Sequence, residues 1–539
     1  MALIPVHIKH AGKTYDLNLD PDLPPNVFKD AVYNATGVPL DRMKVMVKGG
    51  TLKEDSSWKK IAPKAGQTFM VIGAAGDLPK PPAKPIVFLE DMDDSELAEA
   101  LAKPVGLRNL GNTCYMNATV QALRAIPELQ VALTAPALHS TTPLPASLRD
   151  LYHNMSRTTD SITPIGFLQV LRQVNPQFAE VDRSGKGGMM GDAEECYQAI
   201  INTLRNVPGL DASGSSVAAH ERKLVDQYLM GEMRRELTCD EAPEEPASVS
   251  TEQVLKIECN IINTTNFMLT GILNSLDTKV EKNSPTLGRQ AIYSQKSRLT
   301  RLPGYLTVHM VRFAWRADIG KKAKIMRKVK FPLEFDALDL ATDELKAKLL
   351  PVSRKLKEVE KERMERRKVR KRTKTVPSSS SASTSADAAV VAAGNAATGD
   401  VEMADAAAAP ASTEVKGGDL EAEGVYREKE AKELAELVDP SVKSDVGCSA
   451  TGLYDLVAIV THKGAAADAG HYIGFVKKSV GDGNGNPVSS LELGEDDEDW
   501  YKFDDEKVSI FPKEKLATLD GGGEDSSAYV LLYRSKSLD

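Results

Sequence analysis

The stretch "GLRNLGNTCYMNATVQAL", residues 106–123, puts a cysteine straight after a Gly-Asn-Thr turn and straight before an apolar, helix-like run. Cys114 has two readings. In the first it is a buried thiol at the start of a core helix, a common fate of cysteine. In the second it is a nucleophile. A helix N-terminus offers unpaired N–H groups and the positive end of the helix dipole, and both favour a thiolate. The turn gives a flexible, capping-competent lead-in, and Pro127 limits the helix beyond. On this stretch alone both readings stand.

A cysteine hydrolase needs a base and a group that orients it. His471, in "DAGHYIGFVKK", follows a small-residue loop, "KGAAADAG", and opens a strand, so it sits at a hairpin mouth. His462, at the end of the preceding strand, is the internal rival and ranks below it. His309, inside "YLTVHMVRF", reads as an ordinary strand side chain. The orienting acid would be Asp504 in "WYKFDDEKVS", where a carboxylate bonded to the imidazole would fix its tautomer. Asp505 is the neighbouring alternative, assisting through water. Asn109 lies in the same loop as Cys114, so its amide and the Cys114 N–H can face one oxyanion. The ordinary fate of an asparagine there is a turn.

The chain has 539 residues, more than one ordinary core accommodates. Its net charge of −8 argues against a nucleic-acid binder. Five cysteines, odd in number and far apart, make no disulfide framework and point to a reducing compartment. The first residues, "MALIPVHIKHAGK", lack a secretory apolar core, and no run approaches the ~20 apolar residues that span a bilayer. The expectation is a cytoplasmic and nuclear protein, monomeric by default, with no membrane partner. No two cysteines have zinc-ligand spacing, so neither a structural metal nor any other cofactor is expected.

Along the chain, residues 1–74 read as strand–strand–helix–strand–strand, the order of a β-grasp. Its helix, "VFKDAVYNATG", takes Asn26 as cap, Val27, Ala31, Val32 and Ala35 as buried face, and Gly37 as stop. Residues 75–103 are a linker with a proline-rich stretch, "DLPKPPAKP", and a short acidic helix, "DSELAEALA". The larger domain, 104–535, has helices near 114–125, 146–155, 164–173 and 192–205. Strands follow at 305–313, 454–462, 471–478 and 528–533. Helices first and strands later give an α+β domain. A charged, low-complexity insert interrupts it over about 352–425: a solvated helix to about 376, then a Ser/Ala/Thr/Gly-rich segment unable to order itself. Its run "RRKVRKRTK" reads as a nuclear-localisation signal or as a basic helix end.

Taken together, "GLRNLGNTCYMNATVQAL" resembles the cysteine box of the ubiquitin-specific proteases, and "YDLVAIVTHKG", "GHYIGFVK" and "WYKFDDEKV" resemble their histidine box. The N-terminal module is similar to the ubiquitin-like domain of the proteasome-associated members. The resemblance implies a papain-like hand of thumb, palm and fingers. It implies hydrolysis of the isopeptide bond after the C-terminal glycine of ubiquitin, with Cys114 as nucleophile, His471 as base, Asp504 as its orienter and Asn109 at the oxyanion. "GDAEECYQAI" resembles the Gln-Gln-Asp-Ala box: Asp192 carries over to bind an arginine of the ubiquitin tail, while Met190 and Gly191 stand where the glutamines would. Cys239 and Cys259 alone fall in the finger region, so the fingers are expected to be metal-free. Residues 314–328 and 463–470 match segments that block the channel in relatives, which implies an enzyme idle until the ubiquitin-like domain docks on the proteasome regulatory particle. The alternative is a regulator that binds ubiquitin without cleaving it.

Overall fold

The computed structural model describes residues 3–48, 50–73, 92–101, 104–134, 143–181, 188–211, 222–318, 320–375, 420–467, 469–480 and 498–538. The proline-rich stretch 77–85 and the low-complexity stretch 377–418 lie outside them. The chain divides into two compact units, Met1–Asp91 and Met92–Asp539.

In the first unit β1 (Ile4–His10), β2 (Lys13–Leu19), α1 (Pro25–Thr36), β3 (Lys44–Val47), β4 (Gly50–Thr51), α2 (Trp58–Ile61) and β5 (Gln67–Ile72) build one sheet of order β2-β1-β5-β3-β4. The central β1–β5 pair is parallel, and the β1–β2 and β3–β5 pairs are antiparallel, as in a β-grasp. Helix α1 departs from expectation at its start. Pro25 occupies its first turn, Pro24 caps it, and no side chain bonds the cap, so Asn26 falls inside the helix. The buried face is Phe28, Val32 and Thr36, at spacing four, while Val27 is exposed. The larger ring takes the core position because it packs edge-on against Trp58 and Phe69, at 5.6 and 6.0 Å between centroids. Gly37 does end the helix, in a left-handed conformation.

The second unit opens with α3 (Asp94–Leu101), capped by Asp93 and Glu96 bonding each other's backbone N–H. A helical lobe follows: α4 (Cys114–Leu123), α5 (Pro127–Leu133), α6 (Pro143–Met155), α7 (Ile165–Val174), α8 (Ala193–Leu204) and α9 (Leu224–Tyr228). Next come β6 (Gly231–Cys239), β7 (Ser248–Val254), β8 (Ile257–Asn260), α10 (Met268–Leu276), β9 (Asp277–Asn283), β10 (Gln290–Arg301), β11 (Tyr305–Val311), β12 (Phe313–Arg316), β13 (Lys321–Lys324) and β14 (Glu334–Asp336). The chain continues through α11 (Asp343–Thr375), α12 (Glu423–Leu437), α13 (Pro440–Lys443), β15 (Leu453–Ala466), β16 (Ala469–Lys477), β17 (Trp500–Asp504), β18 (Lys507–Phe511) and β19 (Ser527–Ser535).

Strands β7-β6-β10-β9 form a separate four-stranded sheet, the finger region. The main sheet runs β18-β17-β16-β15-β19-β11-β8, with β12, β13 and β14 attached beside β15. The helical lobe packs on one face of the main sheet, and α10 with the first half of α11 covers the other. Every residue of α4 is buried, wedged against β16 and α8. The finger sheet carries a small core of Cys239, Ala242, Ala291 and Tyr293. Cys259 is not in that sheet: it lies on β8, buried in the main core, and donates to the Met268 carbonyl. The finger region thus has one of the two expected cysteines.

The charged run is only partly solvated. Leu349, Val352 and Leu356 form an apolar stripe on α11 that is buried in the main core, and Val359, the next position along it, is buried as well. Beyond it, α12 returns along α11 and the contact becomes ionic. Arg363 and Arg366 both bond the buried Glu430, at 2.7 and 2.5 Å, and Arg366 and Arg370 each reach Glu423 at 3.1 Å. Composition hid this because the stripe is one residue in four among lysines, arginines and glutamates. Leu356→Ala is therefore expected to lower the unfolding free energy by ~2–5 kcal/mol, as for a core leucine. Lys361→Ala, exposed on the same helix, should stay within about 0.5 kcal/mol. Denaturant titration of the two variants checks the pair.

Candidate active site

Cys114 is the first residue of α4, so its position follows from how the preceding turn is held. Gly111 and Asn112 both have positive φ, 93° and 56°, and the Asn109 side chain closes the turn they make. Asn109 Oδ1 accepts from the N–H of Gly111 at 3.0 Å and of Thr113 at 3.1 Å. The Thr113 carbonyl then accepts from Met116 and Asn117 to start the helix. The N–H of Tyr472 points at Cys114 Sγ from 3.5 Å.

His471 stands beside the sulfur on β16. Its Nε2 lies 2.7 Å from Asp504 Oδ1. An ionised carboxylate can only accept, so Nε2 carries that proton and Nδ1 is the nitrogen left for the thiol. The hydrogen bond to Cys114 is the first cause that raises the imidazole to about 9. Burial opposes the shift, and the Asp504 bond and the charge of Asp505 add to it. Burial also opposes ionisation of Asp504, yet the bonds from His471 and from Lys502, 3.0 Å from Oδ2, outweigh it and hold the carboxyl below its ordinary range. Gly470 lets the strand pass: its φ is +143°, and a Cβ there would sit 2.3 Å from the Lys463 carbonyl.

His462 is set apart by burial. It is fully enclosed, its ring nitrogens have no hydrogen-bond partner, and burial, then the charges of Lys324 and His471, push it down to about 4. It packs edge-on to Phe313 and Tyr472, and Tyr529 and His309 continue the aromatic cluster. His309 also has unpartnered ring nitrogens, so neither histidine behaves as a satisfied core residue.

Asp505 departs most from its expected place. It adopts φ +52°, and both its carboxylate oxygens bond asparagine side chains. Its Oδ1 accepts from Asn117 Nδ2 at 2.8 Å and its Oδ2 from Asn109 Nδ2 at 2.9 Å. Asn117 Nδ2 also reaches the Leu107 carbonyl at 3.1 Å. Asp505 thus clamps the turn before Cys114 directly. Asn117 escaped the sequence reading, although an asparagine inside the apolar run "YMNATV" was the available signal. One proton of the Asn109 amide is engaged by this clamp, and among the described residues the other has no acceptor.

Asp192 caps α8. Its Oδ1 accepts from the N–H of Glu194 at 2.7 Å, and its Oδ2 accepts from the Tyr529 hydroxyl at 2.7 Å. It differs in this from a carboxylate held free for an incoming arginine, because the helix start and the sheet both use it. Gly191 has a local cause: a Cβ there would lie 2.9 Å from the ring of Tyr115, which is stacked on Phe178 at 5.4 Å. Aromatic packing fills the space a glutamine would need.

The two expected blocking segments are strand-bound. Much of 463–470 is strand: β15 runs to Ala466 and β16 begins at Ala469. Strands β12 and β13 form a hairpin that pairs with β15 through Ala323 and Ala466. Lys324 ties the hairpins together, with its buried Nζ donating to the carbonyls of His462 at 2.8 Å and Asp525 at 2.9 Å. Among the described residues no cluster of three or more His, Cys, Asp or Glu could hold a metal ion.

A thiol, an imidazole and a carboxylate in this series can perform nucleophilic acyl transfer. The sequence matches the ubiquitin carboxyl-terminal hydrolase family over residues 105–533. It is similar to ubiquitin carboxyl-terminal hydrolase 6 of Schizosaccharomyces pombe, 39% identical over 99% of this chain and 100% of that one. The protein of the same name in Arabidopsis thaliana is 36% identical over 98% of each chain. Ubiquitin carboxyl-terminal hydrolase 14 of Caenorhabditis elegans is 28% identical over 98% of this chain and 93% of its own length. The solved SAGA Ubp8/Sgf11/Sus1/Sgf73 DUB module bound to ubiquitin aldehyde is 15% identical with a TM-score of 0.45, covering 81% of this chain and 70% of that one, too distant to add to the argument. With the family match spanning most of the sequence and relatives aligned end to end, the chain belongs to the ubiquitin carboxyl-terminal hydrolases and is a cysteine-type deubiquitinating enzyme.

Proposed function

We propose that this deubiquitinase cleaves the isopeptide bond after the C-terminal glycine of ubiquitin, with Cys114 as nucleophile, and that it works docked on the proteasome. The observation that carries the mechanism is His471 bonded through Nε2 to Asp504, with the neighbouring Cys114 thiol as the first cause of its raised pKa. His471 Nδ1 already holds the proton given up by the thiol, so sulfur attacks the glycine carbonyl beside an imidazolium. The Tyr472 N–H supports the negative sulfur. The free proton of the Asn109 amide and the Cys114 N–H face the oxyanion, in a turn clamped by Asp505. The imidazolium then protonates the departing lysine amine, and water, activated by the neutral ring, releases ubiquitin. The aromatic cluster of Phe313, Tyr472 and Tyr529, beside Asp192, Glu194 and Glu195, suits a tail that is extended and basic. Asp192 contributes through the lone pairs its internal bonds leave over.

Docking falls to the β-grasp unit. Met46 and Met70 are cross-strand neighbours, and with Ile72 they leave an apolar stripe exposed by 40, 53 and 52%. The paired hairpins at 313–324 and 463–470, joined by Lys324, are the proposed restraint on the free enzyme. Nuclear as well as cytoplasmic residence belongs to this reading.

Cys114→Ala is expected to abolish hydrolysis of ubiquitin amides and to retain ubiquitin binding; turnover near wild type would remove Cys114 from its role. The His471 pKa, raised to about 9, means the imidazolium persists below that pH and is lost above it, so kcat/KM should fall as pH rises through about 9. Asp504→Asn removes one of the raising partners, and the alkaline limb should move to lower pH. Turnover with and without purified proteasomes tests the restraint and the docking together. Met70→Glu should keep basal turnover and lose stimulation, whereas Lys324→Met should raise basal turnover and shrink the stimulation ratio.

A further inference from the structure

We infer that Lys502 is a positioning residue for the reaction: it holds the plane of the Asp504 carboxylate so that one oxygen faces His471, and it moderates the negative charge the imidazole meets. The inference rests on the catalytic role proposed above for Asp504. Lys502 and Asp504 are two apart on β17 and share a face of the strand. The two carboxylate oxygens have separate partners, His471 Nε2 at 2.7 Å on Oδ1 and Lys502 Nζ at 3.0 Å on Oδ2. A carboxylate rotates about its last torsion in a broad minimum. A single bond to the ring would leave that rotation loose, and the second bond, on the other oxygen, sets it.

Stability does not account for the contact. The side chains of Lys502 and Asp504 are 30% and 35% exposed, a setting in which an ion pair contributes little to folding. Across the sheet Lys502 faces Phe475 on β16 and Ser509 on β18, neither of them acidic. Among the described residues Asp504 is the carboxylate it meets within ion-pair distance. The other charged or titratable groups around the imidazole and its acid are Cys114 on α4, His462 and Lys463 on β15, Asp505 beyond β17, and Lys507 opposite Asp504 on β18. Of the lysines near Asp504, the bond from Lys502 is the one that helps keep that carboxyl ionised.

Removing the cation has two separable effects. The carboxylate loses its fixed plane, which lowers turnover. Its charge also reaches the imidazole undiluted, which raises the ring further and moves the alkaline limb to higher pH. A side chain that merely supported the fold would leave the alkaline limb where it is.

The test uses full-length enzyme with Lys502→Met, which keeps the stem without the charge, and Lys502→Arg, which keeps the charge. The rate of Cys114 alkylation by iodoacetamide is followed from mildly acidic to alkaline pH, alongside kcat and KM on a ubiquitin amide. Lys502→Met should lower kcat about three- to tenfold, the scale of one ordinary hydrogen bond, with KM unchanged and the alkaline limb moved upward. Lys502→Arg should restore both to within about twofold. A Lys502→Met enzyme with wild-type kcat and limb overturns the inference. So does an equal loss in both variants accompanied by an equal drop in melting temperature. Alkylation needs no ubiquitin, so a failure of the hydrolytic reading itself would show separately, as intact thiol reactivity without ubiquitin turnover.

Discussion

The end of β17 is the joint on which the active site hangs. Two successive aspartates leave it in different directions because the first is still in the strand and the second has turned into the left-handed region, at φ +52°. Asp504 meets the imidazole of β16, while Asp505 meets Asn109 and Asn117 on the loop and helix that carry the thiol. Segments nearly four hundred positions apart in the chain are fixed to each other by side chains one peptide apart. Asn117 and its neighbours are buried there, where hydrogen bonds are stronger and their loss more costly than at the surface. The same dipeptide therefore sets both the base and the geometry around the nucleophile.

Much of this was legible in the sequence, and for identifiable reasons. Cys114 could be placed at a helix start because Gly, Asn and Thr before an apolar run are local signals, and α4 does begin there. His471 could be placed at a hairpin mouth because small residues precede it. The alternating strands and the β-grasp order needed only periodicity. The direction of Asp505 was not legible, because "DD" after a strand does not encode which residue takes positive φ. The helix α1 was misphased for a similar reason: Val27 and Phe28 both suit a core, and the choice fell to the rings of Trp58 and Phe69, far along the chain. Asp192 matched a motif, yet its partners, the α8 backbone and Tyr529, are tertiary facts.

The histidines show the limit of reasoning by residue type. Four properties distinguish His471 from His462: a thiol neighbour, a carboxylate neighbour, partial exposure and a raised pKa. The two residues lie in adjacent strands nine positions apart in sequence and face different environments. Enclosure keeps His462 neutral, and the electrostatic partners of His471 keep it charged to about pH 9. Identical chemistry is sorted by dielectric and by neighbours, which only the fold supplies.

The pairing of α11 with α12 has a consequence for how this chain can vary. The two helices are anchored by the apolar stripe ending at Val359 and by the Arg363, Arg366 and Glu430 pairs, so the ends of the intervening segment are held in place whatever joins them. Closing a connection grows only logarithmically harder with its length, by ~0.6 kcal/mol per doubling. The span between Thr375 and Leu420 is thus a position where insertions and deletions cost the fold little, open to drift over evolution and suited to carrying a reporter or an affinity handle.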